Sequence, residues 1–269
     1  MTLYTAAASL FVLFSAQPVL ASSGKSDEAT LAVASNFRQT AQTLANEFEA
    51  LTERRVILVS AASGSLYAQI HAGAPFDALL SADAVTPTAL GAAAPTIKST
   101  QFTYAIGTLV FWSRCRTDLT HSDALVNLDD RSVAIANPAI APYGKAAVSV
   151  LERLAPRSIA KVVQASNVVQ TYALISSCAV DGGFVGLAQV KGGESSGHYW
   201  TVPQSWYSPI RQDAILTPQG EANDTARCFL LFLQTPTARS IIGAAGYQLP
   251  ESKRTETVHA SDWTGCLSQ

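Results

Sequence analysis

Four places in the sequence put small or neutral polar residues between an apolar, strand-like run and a helical pattern. Ser35 and Asn36 follow "TLAVA", and Ser63 follows "VILVSAA". Further along, "APYGKAA" places Pro142, Tyr143 and Gly144 at the start of one more helical pattern, and "ASNVVQ" places Ser166, Asn167 and Val168 at the start of another. None of these residues carries a charge, so the chemistry they offer is hydrogen bonding by hydroxyl, amide and backbone N–H groups.

Helix starts of this kind can bind anions. The first N–H groups of a helix have no intrahelical acceptor, and the helix dipole favours negative charge beside them. In open α/β sheets the ligand lies at the carboxyl ends of the strands, where such helices begin. Four junctions that meet at one cleft would form a site for a small oxyanion. The simpler alternative is that each Ser or Asn only caps its own helix, and Asn36 with Gln39 matches a capping box.

The elements around these junctions alternate between strand and helix from residue 29 onward. This order predicts an α/β fold with mixed, largely parallel sheets. The predicted strands are "TLAVA", "VILVSA", "FDALLSA", "SVAIA", "KVVQA" and "FVGLA", and the predicted helices are 37–51, 66–70, 146–154 and 168–177. Helix 37–51 carries its apolar residues at three- and four-residue spacing, so one face should pack on a sheet.

A two-lobe organisation follows from one long apolar segment. "YAIGTLVFWS", residues 104–113, is long enough to pass from one lobe to another, with Gly107 at the crossing, and a return is expected within 203–215. We predict a ligand cleft at this hinge. The predicted units are lobe 1 at 29–106 and 208–250, lobe 2 at 107–207, and a C-terminal tail at 251–269.

The N-terminal residues 1–21 are typical of a signal peptide. An apolar run at 6–16 is followed by Pro18, and Val19 and Ala21 stand as in a small-residue cleavage site. We predict cleavage after Ala21 and export of the mature chain. A membrane anchor is the alternative, but the run is shorter than the roughly 20 apolar residues that a spanning helix needs.

Composition excludes a nucleic-acid partner. The 269 residues have a net charge of −2 and only 14% charged residues, so no basic stripe is available to follow a phosphate backbone. The apolar content of 48% is enough for buried cores without staples.

The four cysteines are spaced too widely for a zinc knuckle or a dithiol motif. Export favours disulfides, and four cysteines can pair in three ways. We favour Cys115 with Cys178, and Cys228 with Cys266, which would join the polar tail to the last helix. Buried free thiols are the alternative.

The chain from about 29 to 250 resembles the periplasmic molybdate-binding protein family, the substrate-binding subunit of molybdate ABC transporters. The motifs that carry the resemblance are "VASNF", "SGSLYAQIHAGAPFDALLSAD", "ANPAIAPYGKAA" and "GFVGLAQV". It implies a type II periplasmic binding protein, a monomer that takes molybdate or tungstate to a membrane permease. No cofactor and no direct metal ligation are implied, because the cargo is held through its oxygens.

Carried over by position, the resemblance implies five ligand-binding residues. They are Ser35, Asn36, Ser63, Tyr143 and the backbone N–H of Val168. One departure concerns Gly186, where some family members have a tyrosine.

Two other functions compete with this interpretation. "GGESSG" contains the G-x-S-x-G pattern of a serine hydrolase, with Ser195 as the nucleophile, but its neighbours suggest an exposed turn. The four histidines have no metal-ligand spacing, and Asp77 and Asp83 are better explained as strand-end caps than as a catalytic pair. The other alternative keeps the fold but changes the cargo to another small oxyanion or an organic anion.

Overall fold

The computed structural model describes residues 27–118, 131–154, 161–193, 196–251 and 263–267. The predicted signal peptide and most of the tail 251–269 lie outside this part. Within it, no helix is both long and apolar enough to cross a membrane.

The first of two sheets has the strand order β2-β1-β3-β10-β4. Its strands are β1 (Glu28–Ala34), β2 (Arg55–Ala61), β3 (Ala78–Leu80), β4 (Phe102–Gly107) and β10 (Ile210–Leu216). Strand β1 pairs parallel with β2 and β3, whereas β10 pairs antiparallel with β3 and β4. The sheet is therefore mixed, and its parallel half sends the chain into a helix after each strand.

The second sheet has the order β7-β6-β8-β5-β9. Its strands are β5 (Leu109–Ser113), β6 (Ser132–Ala136), β7 (Lys161–Ala165), β8 (Gly182–Gly186) and β9 (His198–Thr201). Strand β6 pairs parallel with β7 and β8, and β5 pairs antiparallel with β8 and β9. Each sheet thus has a parallel part and one strand that enters from the other sheet.

The helices begin closer to the strands than the apolar pattern indicates. They are α1 (Arg38–Thr52), α2 (Ser63–His71), α3 (Val85–Ala93), α4 (Pro142–Leu154), α5 (Val168–Ser176), α6 (Leu187–Gly192), α7 (Asp224–Phe232) and α8 (Pro236–Ala244). Helices α2 and α4 start three and four residues before the predicted 66 and 146, because small first-turn residues carry no apolar period. Ser35 and Asn36 themselves lie in a short 3-10 helix, Ser35–Phe37.

Two strand predictions are wrong in detail. The apolar segment 104–113 is not one strand but β4 and β5 in different sheets, and the chain changes sheets at Thr108. The predicted strand "FVGLA" ends at Gly186, where α6 begins. Leu187 and Ala188 are strong helix formers, and the Leu187 N–H to the Thr108 carbonyl is the last bond in the register of the β5–β8 pair before the helix begins.

Each sheet has its own hydrophobic core. In the first, Phe37, Leu44 and Phe48 of the α1 region pack against the sheet on the face that the periodicity predicts. In the second, Phe111, Trp112 and Phe184 are completely buried. We call the first sheet with its helices the first lobe and the second sheet with its helices the second lobe. The molecule is a two-lobe α/β protein.

Both favoured cysteine pairs are disulfides. The Cα atoms of Cys115 and Cys178 are 6.0 Å apart, and those of Cys228 and Cys266 are 5.7 Å apart. The second bond joins the tail to α7, not to the last helix, which is α8. Trp263 of the tail also packs on the first lobe, with its ring against those of Phe48 and Phe232.

We expect the replacement of both Cys228 and Cys266 by serine to lower the free energy of unfolding by about 2 to 4 kcal/mol. The bond closes a loop with a sequence separation of 38 residues, which restricts the unfolded chain. Chemical denaturation of the mature chain measures this loss. The unaltered protein should show no reactive thiol before reduction, and two or more reactive thiols in the native protein would contradict at least one of the pairings.

Candidate functional site

The four strand-to-helix junctions meet at one cavity between the lobes. The lining residues are Ala34, Ser35, Asn36, Ala62, Ser63, Ala82, Ala141, Pro142, Tyr143 and Val168. All five predicted site residues are among them, three from the first lobe and two from the second. The cavity has about 200 Å³ of free space, its open mouth included, and no acidic or basic side chain lines it.

Ser35 and Asn36 enter the cavity from the 3-10 helix after β1. Within the described chain the Ser35 hydroxyl has no hydrogen-bond partner, although the residue is only 8% exposed. The Asn36 side-chain amide is hydrogen-bonded to other residues of the first lobe. Its Nδ2 donates to Gln212 Oε1 (2.9 Å) and to the Tyr247 hydroxyl (3.3 Å). Ser35 therefore offers a free hydroxyl, and Asn36 is fixed in place by the first lobe.

Ser63 is the first residue of α2, and its hydroxyl has a defined orientation. Its Oγ accepts a hydrogen bond from the Ala82 N–H at 2.9 Å. A hydroxyl that accepts in this way still has its own proton to donate. Ser63 is 1% exposed, so the only open direction for that proton is the cavity that the residue lines.

Tyr143 occupies the second position of α4, and its side chain turns away towards the first lobe. Gln212 Nε2 donates to its hydroxyl at 3.3 Å. Burial raises the pKa of Tyr143 well above its usual range, and the nearby Tyr247 and Tyr207 raise it further, so the hydroxyl stays neutral. The Tyr143 backbone N–H has no acceptor among the described residues, as expected in a first helical turn. This N–H is what Tyr143 offers to the cavity.

Val168 begins α5, and the residue before it caps the helix. Asn167 Oδ1 accepts from the N–H groups of Val169 and Gln170, at 3.0 Å each. No described atom accepts from the Val168 N–H, which the cap leaves unpaired at the buried start of the helix. The backbone of Val168, rather than its apolar side chain, is its polar contribution.

The capping alternative fails for the predicted site residues of the first lobe. The N-cap residues of the 3-10 helix, α1 and α2 are Ala34, Phe37 and Ala62, and none makes a side-chain capping bond. The expected capping box is also wrong, since Gln39 Nε2 donates to the Gly192 carbonyl of the second lobe. Helix capping therefore does not explain why Ser35 and Ser63 are in this cavity.

Similarity to known proteins identifies the family of this chain. The profile of the family described as bacterial extracellular solute-binding protein matches residues 29–248. The chain is 36% identical to the molybdate-binding protein ModA of Azotobacter vinelandii over 236 residues, which is 86% of this chain and 94% of the relative. The chain belongs to the periplasmic molybdate-binding protein family.

Two further relatives support the assignment. The ModA protein of Rhodobacter capsulatus is 38% identical over 222 residues, 82% of this chain and 88% of the relative. The solved periplasmic molybdate-binding protein of Azotobacter vinelandii has a TM-score of 0.77 and 36% identity, covering 83% of this chain and all of that one. These relatives are named as binding proteins, and the solved one shares the fold described above.

The family departure at Gly186 has a steric explanation in this member. A Cβ atom at position 186 would lie 2.9 Å from Cε1 of Tyr143. Because real Cβ contacts are longer, the Tyr143 ring already fills the space beside Gly186. A larger residue at 186 would have to displace that ring.

The enzyme alternative has the wrong local structure. The stretch "GGESSG" begins with the last residue of α6 and ends directly before β9, so the motif follows a helix and precedes a strand, the reverse of a nucleophile elbow. Ser195 lies outside the described residues. Among the described residues no group of three His, Cys, Asp or Glu side chains could hold a metal ion.

The two aspartates of "FDALLSAD" accept hydrogen bonds from backbone N–H groups. Asp77 accepts from the Thr30 N–H at 2.7 Å, and Asp83 accepts from the Thr86 N–H at 2.7 Å near the start of α3. Neither lines the cavity.

The sequence patterns missed the residues that support the site from behind. Three of them form hydrogen bonds with Asn36, namely Gln212, Tyr247 and Gln189. The fourth, Tyr104, donates to Gln212. Their only sequence signal is weak. A polar pair, Gln212 and Asp213, interrupts an apolar strand, and nothing local says what it contacts.

We expect Asn167→Ala to cost about 0.5 to 2 kcal/mol of stability, because two first-turn N–H groups of α5 lose their acceptor. Thermal and denaturant unfolding measure the loss, and Asn167→Asp, which keeps the acceptor, is the control. If the alanine variant unfolds like the parent chain, Asn167 is not an effective cap of the helix that begins at Val168.

Proposed function

We propose that this chain captures molybdate, and tungstate as its close analogue, in the periplasm and delivers it to the permease of an ABC transporter. The observation that best supports the proposal is the convergence of four helix starts on one uncharged cavity. The named relatives bind molybdate, and the five residues proposed as the ligand set are Ser35, Asn36, Ser63, Tyr143 and Val168.

Seven neutral donors are available for the ion. They are the backbone N–H groups of the five residues, none of which has an acceptor among the described residues, and the hydroxyls of Ser35 and Ser63. A hydrogen bond to a charged group contributes about 1.5 to 3 kcal/mol. After desolvation and ordering are subtracted, several such bonds are enough for micromolar or tighter binding.

The donor set also favours some oxyanions over others. Phosphate is partly protonated at neutral pH and needs an acceptor, but the cavity lining contains no carboxylate. Sulfate is smaller than molybdate and has shorter bonds, so donors placed for the larger ion would not all reach its oxygens. Tungstate is nearly the size of molybdate and should compete with it.

Capture requires the lobes to close over the ion. We propose that the chain moves as two bodies about the crossing at Thr108. One body is formed by 29–106 with 208–250, and the other by 107–207. We also propose that the protein works as a monomer. Contacts that already bridge the lobes support this division. The Gly64 N–H donates to the Ile140 carbonyl at 3.0 Å, and Gln39 Nε2 donates to the Gly192 carbonyl at 2.9 Å.

We expect the mature chain to bind one molybdate or one tungstate and to ignore sulfate and phosphate at comparable concentration. Titration calorimetry with the four anions measures this. Equal heats with sulfate would contradict size selection, and binding of a small organic acid in place of all four would favour the alternative cargo.

We expect Ser35→Ala to weaken molybdate binding about ten- to a hundredfold while leaving the melting temperature of the empty protein nearly unchanged. The hydroxyl has no partner in the described protein, so its removal costs only the bond to the ion, about 1.5 to 3 kcal/mol. Ser65→Ala is the matched control, since Ser65 does not line the cavity. Unchanged affinity in Ser35→Ala would remove Ser35 from the ligand set.

Ser63→Ala is a less selective test. It would also leave the buried Ala82 N–H without its acceptor, so both stability and affinity should fall.

A further inference from the structure

The carboxamide of Gln212 lies at the point where the two lobes and the candidate site meet. Gln212 is completely buried in β10 of the first lobe. The pairing of β10 with β4 is irregular between Gln212 and Asp213, and such bulges re-aim side chains. Here the side chain lies between Asn36 of its own lobe and Tyr143 of the other.

Both ends of the Gln212 amide are occupied by site residues. Oε1 accepts from Asn36 Nδ2 at 2.9 Å and from the Tyr104 hydroxyl at 3.2 Å. Nε2 donates to the Tyr143 hydroxyl at 3.3 Å. One planar group therefore fixes a residue of the first 3-10 helix relative to the start of α4, across the lobe boundary.

The same group touches the crossing between the lobes. A Cβ atom on Gly107 would lie 2.9 Å from Gln212 Nε2 and would collide with the Tyr143 hydroxyl. Gly107 is the last residue of β4, directly before the chain changes sheets. The absence of a side chain there lets Gln212 and Tyr143 meet against the backbone of the crossing.

We propose that Gln212 is a positioning residue for the ligand: it joins Asn36 to Tyr143 and so holds the lobes in the arrangement in which both face the ion. This rests on the proposed function of the cavity. The Tyr143 hydroxyl then acts as a partner of Gln212 and not as a ligand donor. Its backbone N–H remains the group that faces the ion.

Gln212→Met, Tyr143→Phe and the double variant test this. Methionine keeps the length of glutamine without its hydrogen bonds, and phenylalanine removes only the partner hydroxyl. We expect each single variant to raise the molybdate Kd about tenfold, because a buried polar contact across the lobes is lost. The double variant should be little worse than either single variant, since both remove the same link.

Gln101→Met is the matched control. Gln101 is also a glutamine of the first lobe. Its Nε2 donates to Oδ2 of Asp213, the residue after Gln212, at 2.8 Å. Gln101 does not line the cavity. It should cost stability without changing the molybdate Kd. Small-angle scattering at saturating molybdate adds a second readout, and Gln212→Met should be less compact than the parent chain and the control.

The outcomes separate the two proposals. If the parent chain binds molybdate and the folded Gln212→Met variant binds it equally well, or if the two single losses multiply fully in the double variant, the role of Gln212 is refuted while the function stands. If Gln212→Met does not fold, Tyr143→Phe decides alone, and a parent-like Kd in that variant overturns the inference. A parent chain that binds none of the oxyanions refutes the proposed function itself.

Discussion

Unpaired backbone N–H groups at buried helix starts are the constraint on which the rest of this structure depends. A buried donor without an acceptor costs free energy, and here five lining residues from four helix starts meet in one cavity. No carboxylate of the lining neutralises them, so the acceptors have to come from outside, as water in the empty protein or as an oxyanion. The fold thus concentrates donors that it does not satisfy, which is why we propose this cavity as the ligand site.

The sheet topology is what brings these donors together. In each lobe two parallel strands end at the same edge, and each is followed after at most five residues by a helix whose start lines the cavity. Two helix starts from one lobe would give a shallow, open site. Because β5 and β10 carry the chain between the sheets, the two edges face each other, and the donors of one lobe meet those of the other.

Local sequence signals located β1, β2, β3, β6, β7 and β8 and the residues that follow most of them. Ser35, Ser63 and Val168 follow clear apolar runs, so their place at a sheet edge could be predicted from the pattern alone. The helix starts were harder, since first-turn residues such as Pro142 and Tyr143 carry no apolar period. The supporting contacts could not be predicted at all. Gln212 is 176 residues from Asn36 in sequence, and only the packed lobes bring the two together.

The supporting contacts explain why a neutral site can still be well defined. A charged side chain would attract an oxyanion over a distance and tolerate imprecise geometry, whereas hydrogen-bond donors act only when they are correctly placed. Ala82 therefore orients the Ser63 hydroxyl, Asn167 caps the helix that presents Val168, and Gln212 fixes Asn36 against Tyr143. Because each donor is set by a separate neighbour, the proposed closure of the lobes is the step that would complete the set. Opening the lobes would separate the donors of one lobe from those of the other, so that a site without a fixed countercharge could release its ion.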